Sequence, residues 1–68
     1  MIRLKVKEIA TQQGISQGRL ARMADMDVKT LKRIYRNPYA EVSSFTLDKL
    51  AQALGVDASE LIESVPDE

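Results

Sequence analysis

Between Ser43 and Gly55 the apolar residues Leu47, Leu50, Ala51 and Leu54 recur at three- and four-residue intervals, which lays them along one face of a helix. Ser43 or Ser44 caps its start and Gly55 closes it. The same period marks two shorter segments upstream. Ser16 opens a second helix over about residues 16–24, with Leu20, Ala21 and Ala24 inward. Asp25-Met26 form a tight turn, and Asp27 caps a third helix over about residues 27–36. Leu31 and Ile34 give that helix a narrow inward stripe, while Val28, Lys29, Lys32, Arg33 and Arg36 point away from it. Asn37-Pro38 ends it, because a residue before proline disfavours the helical region, and Pro38 to Val42 form a loop.

The two ends of the chain are less regular. Met1 to Lys7 alternates apolar and basic residues, a strand period, whereas Val6, Ile9 and Ala10 fit a helix that stops at Gly14. An extended lead-in at Ile2 to Leu4, followed by a first helix from about Lys5 to about Gln13, satisfies both. Asp57-x-x-Glu60 has the spacing of a capping box and predicts a fifth helix that buries Leu61, with Ile62 as a further candidate. Val65 to Glu68 should fray. The expected fold is all-α: a compact five-helix bundle, one domain over residues 1–68, with the second and third helices as a helix-turn-helix.

Charge sharpens this picture. The formal net charge is zero, but residues 1–39 hold nine Lys/Arg against three acids, and residues 40–68 hold Lys49 against seven. One half is suited to an anion; the other keeps the molecule soluble and oriented. A short helix that holds a cationic helix at a steep angle is the geometry that carries side chains into the DNA major groove. Arg33 is best suited to guanine, since its planar fork can donate to O6 and N7 together. Lys29 can do likewise or bind phosphate as a point charge, Lys32 lies toward the flank, and Val28 can touch a thymine methyl. Asp27 is repelled by DNA unless it is consumed as a cap. Phosphate anchors are expected at Gln17, Arg19, Thr30, Arg36 and Tyr39, with Ser43 and the following helix start adding backbone amides. Gly18 either is simply tolerated in its helix or admits a phosphate backbone.

Size and composition exclude other classes. With no cysteine and no histidine, disulfides, thiolate metal sites and the commonest general base are absent. No glycine-rich phosphate loop or nucleophile–base pair is present, so neither an enzyme nor a cofactor is expected. A chain this small is not expected to enclose a pocket for a small-molecule ligand. Lacking a signal peptide or a membrane span, it is expected to be cytoplasmic, at the nucleoid.

The run Gly14-Ile15-Ser16-Gln17, Leu20-Ala21, Thr30-Leu31-Lys32-Arg33-Ile34 and Leu54-Gly55-Val56 resembles the phage repressor/Cro family of helix-turn-helix regulators, in its small stand-alone form. The resemblance spans roughly residues 5–63 and implies a lambda-repressor-like DNA-binding domain. It places Val28, Lys29, Lys32 and Arg33 at base edges, gives Gln17 a phosphate contact and the bracing of the recognition helix, and puts Thr30 and Arg36-Asn37 near phosphate or at the following turn. It also implies a homodimer that regulates transcription, commonly as a repressor, at an inverted repeat. Phe45 fits such a dimer contact, against the alternative that it folds under the Pro38–Val42 loop. Many members pair an arginine in the first helix with a glutamate late in the third. Here those positions are Ala10 and Tyr35, and Tyr35 is expected to pack over Ala10 in place of the ion pair. Asp25 stands where the family has a turn glycine, and Asn37 where a glycine usually follows the third helix. Met23 and Met26 are expected as packing filler. A competing reading is a protein-interaction module, adaptor or antitoxin-like, that docks through the acidic fourth and fifth helices.

Overall fold

A computed structural model describes residues 1–66. Four α-helices follow in order: α1 (Val6–Gln12), α2 (Gln17–Met23), α3 (Val28–Arg36) and α4 (Ser44–Leu54). They are flanked by two short strands, β1 (Ile2–Leu4) and β2 (Ile62–Ser64). Each helix boundary has a local cause. Gly14 at φ +70° and Gly55 at φ +69° turn the chain away after α1 and α4. Ser16, Asp27 and Ser43 each accept a backbone N–H of the first turn of α2, α3 and α4. The core is the apolar stripe of each element brought together: Leu4, Val6, Leu20, Leu31, Ile34, Leu50, Leu54 and Leu61 are all buried.

The five-helix all-α expectation is corrected at the C-terminal end. The capping box is real, with Asp57 and Glu60 each bonded to the other's end of the turn, but it opens a single 3-10 turn, Ala58–Leu61, rather than a fifth α-helix. The chain then straightens into β2, which pairs antiparallel with β1 so that Leu4 faces Ile62 and Arg3 faces Glu63. Burial decides the outcome: Leu61 enters the core completely, its carbonyl accepts the Lys5 N–H at 2.8 Å, and extension beyond it lets β2 run alongside β1. Arg3 reinforces the pairing, with Glu63 at 3.2 Å across the sheet and Glu8 of α1 at 2.7 Å.

The fraying expected from Val65 onward is also corrected. The Val65 N–H donates to the Met1 carbonyl at 2.9 Å, and the Met1 amino group donates to the Val65 carbonyl at 2.8 Å. The remainder of that expectation, at Asp67 and Glu68, lies outside the described residues. Met23, expected as filler, is exposed; Met26 packs against the core. Tyr35 also packs against the core cluster that contains Ala10, but its hydroxyl is buried without a hydrogen-bond partner. No helix among the described residues is long and apolar enough to cross a membrane.

Candidate nucleic-acid interface

The helix pair is built around its turn. Asp25 is the sole non-glycine residue with positive φ among those described, at +52°, so the residue in the family's glycine position adopts the left-handed form. Its carbonyl accepts from the Lys49 ammonium of α4 at 3.2 Å, and that ammonium also sits 4.7 Å from the centre of the Phe45 ring. Met26 then returns its N–H to the Ala21 carbonyl at 3.0 Å, closing the end of α2. One residue on, Asp27 accepts the Lys29 N–H at 2.8 Å. The awkward carboxylate at the start of α3 is thus engaged as its cap.

α3 buries Leu31 and Ile34 and turns the opposite side outward. Lys29, Lys32, Arg33 and Arg36 are all exposed, and Val28 is 38 % exposed. The four cations and Asn37 line one shallow depression of about 290 Å³. Among the described residues none of the four forms an ion pair; the ion pairs at Arg3 lie elsewhere. The open cationic edge that the sequence predicts is therefore present, and no acidic segment among the described residues covers it.

The expected phosphate anchors are placed less uniformly. Arg19 and Arg36 are exposed, while Gln17 and Thr30 are half-buried on α2 and α3. The Ser43 hydroxyl is occupied by the α4 cap, accepting the Thr46 N–H at 3.1 Å. Tyr39 is 47 % exposed but lines a different groove, of about 670 Å³, with Met1, Ile2, Val42, Leu47 and Ile62. Phe45 is 68 % exposed beside Lys49, which removes the option that it folds under the loop. At Gly18 a Cβ would meet nothing within 4 Å, so the protein's own packing gives no reason for glycine there.

Two features escaped the sequence reading. The Arg33 guanidinium donates through Nη2 to the Glu41 carbonyl at 3.1 Å, linking α3 to the following loop. That loop is shaped by Asn37, whose Oδ1 accepts the Tyr39 N–H at 3.1 Å. The Asn-Pro pair was a legible signal for the second, since asparagine before proline favours this side-chain turn; nothing local signalled the first.

The acidic part of the chain behaves differently. Glu60 accepts the Asp57 N–H, Asp48 accepts from Gln52, and Glu63 is held by Arg3. The Ser59 hydroxyl, and then its N–H, hold the Asp57 carboxyl below the usual carboxylate range. Burial raises the Tyr35 phenol above its ordinary value. Among the described residues no group of three or more acids is placed to hold a metal ion.

A family model described as the Cro/C1-type HTH DNA-binding domain matches residues 5–67. No curated protein matches the chain.

Proposed function

The chain belongs to the Cro/C1-type HTH DNA-binding domain family, and from that membership we propose a transcriptional regulator that binds an inverted repeat in duplex DNA as a homodimer. Residues 1–68 act as one DNA-binding domain. α3 enters the major groove, with Val28, Lys29, Lys32 and Arg33 toward base edges. Gln17, Arg19, Thr30, Arg36, Tyr39 and Ser43 lie toward the phosphates. The observation that carries this reading is the depression on α3, where four exposed cations converge with no carboxylate among the described residues paired to them. Like charges held this close repel one another, and a polyanion relieves that repulsion while releasing its own counterions.

Dimerisation follows from reach. One short helix reads few base pairs, so useful specificity calls for two copies on half-sites about 34 Å apart. The exposed Phe45 ring is the contact proposed between copies. Repression by occlusion of a promoter is the regulatory outcome assigned by analogy with this architecture. The competing adaptor reading has less support: the fifth helix it requires is a 3-10 turn and a strand, and Glu60 and Glu63 are bonded within the molecule.

Selection of binding sites from a random duplex pool tests the proposal. A palindrome with its halves about one helical turn apart is expected. Recovery of no enriched motif would sink it, and an asymmetric site would remove the symmetric dimer.

A further inference from the structure

Among the described residues, Arg33 is the cation of α3 whose side chain is hydrogen-bonded to another part of the molecule. Its acceptor, the Glu41 carbonyl, is itself held in place. Asn37 closes the turn after α3 twice, through Oδ1 to the Tyr39 N–H at 3.1 Å and through its carbonyl to the Ala40 N–H at 3.0 Å. The Pro38 carbonyl accepts the Leu4 N–H of β1 at 2.7 Å. β1 is fastened to β2 by the ladder and by the Arg3–Glu63 pair. A continuous series of bonds therefore runs from the two-stranded sheet, through the loop, to the guanidinium.

We infer that the loop from Asn37 to Val42 is a positioning element for base discrimination, which fixes the plane of the Arg33 guanidinium through the Glu41 carbonyl. The inference rests on the reading of α3 as the base-facing helix. Its physical content is pre-organisation. A free arginine must give up rotamer freedom before its fork can lie in the plane of a guanine edge. Arg33 has already given up part of that freedom to the loop, with one N–H engaged and the others left to donate outward. A tethered fork also rejects adenine more firmly, because it cannot swing to a compensating contact with a nearby phosphate. A lysine at this position would keep the charge and lose the plane.

The test uses the full chain and the duplex recovered by site selection, with each guanine of a half-site replaced in turn by adenine. Arg33→Ala locates the base: preference at one guanine should fall by on the order of tenfold or more. If no position loses preference, the base-reading role of Arg33 fails, separately from the loop. The loop is then tested by synthesis of the chain with an ester in place of the amide between Glu41 and Val42, which weakens the Glu41 carbonyl as an acceptor. The N–H removed with it has no backbone partner among the described residues. The preference for guanine at that base is expected to fall about threefold to tenfold, the value of one such hydrogen bond. Affinity for an unrelated duplex and the salt slope should stay unchanged, which a loss of folding would not allow. Asn37→Ala should lower the same ratio, and Asn37→Ser, which keeps an acceptor for the Tyr39 N–H, should restore part of it. Undiminished discrimination in the ester variant overturns the inference, whatever the Asn37 variants do.

Discussion

On the outer side of α3, Lys29, Lys32 and Arg36 stand exposed with no ion pair among the described residues. From Asp48 to Glu63 the opposite charges are consumed within the fold: Asp48 by Gln52, Asp57 by Ser59, Glu60 by the turn it caps and Glu63 by Arg3. The two regions nearly cancel in net charge, yet they differ in what their charges hold. An acid that satisfies a backbone N–H belongs to the architecture. A cluster of unpaired like charges costs the fold some self-repulsion and has value toward an external anion. Whether a charge has an internal partner is therefore more informative here than its sign or the molecule's total.

The largest effect should come from emptying the cationic side. The double change Lys29→Ala and Arg33→Ala is expected to weaken binding to the selected duplex on the order of 100-fold, because it removes two groups assigned to base edges. The melting temperature should fall little, because the internal bond lost is the exposed one from Arg33 to the Glu41 carbonyl. Fluorescence anisotropy and thermal denaturation read the two quantities. The mirror change, Glu60→Gln with Glu63→Gln, should lower the melting temperature and leave the DNA affinity intact; a loss of affinity there would erase the contrast.

Arg36→Ala should have a smaller and different signature. Assigned to phosphate, it should weaken binding to all duplexes alike and reduce the slope of log affinity against log salt by about 1. A sequence-selective loss would move Arg36 to the base-reading group.

Tyr35 lies on α3 but on the inward side, and it should respond as architecture does. Its hydroxyl is buried without a partner, so Tyr35→Phe is expected to stabilise the fold by about 1 kcal/mol. Burial raises the phenol's pKa, so as pH climbs past the ordinary tyrosine value the unfolded chain loses its proton first. Stability should then fall more steeply in the native protein than in the phenylalanine variant, as followed by chemical denaturation across alkaline pH.

The smallest effect belongs to Asp57. Its lowered pKa means that its contribution is complete above the ordinary carboxylate range and disappears as pH falls through the depressed value. Melting curves of the native protein and of Asp57→Asn should differ at neutral pH and converge in acid. A constant gap at all pH values would separate the cap from its charge.

Most of the helix pair was legible because its signals are local. Ser16 and Asp27 cap the helices that their positions announce, and the inward residues follow one period. Ile2 to Leu4 was correctly read as extended, yet its partner was missed. The Asp57-x-x-Glu60 spacing reports that a helical turn begins and says nothing of how far it continues. What ends it is a pairing between Leu4 and Ile62, at opposite ends of the chain, beyond the reach of any sequence window. The Arg33 tie was hidden for a related reason: it depends on where the loop carries a backbone carbonyl, which no residue identity encodes. The residues of the cationic edge were readable from helical spacing alone; which of them the fold restrains was not.

The joining of β1 to β2 also bears on the order in which the fold closes. The segments that form α2 and α3 lie close in sequence and can meet early. The first strand must wait for residues 62–64 before its ladder can form. Contacts between such distant positions close late and slowly compared with neighbouring helices. The helix pair can thus form before the sheet that anchors the loop after α3 through the Leu4 N–H and the Pro38 carbonyl.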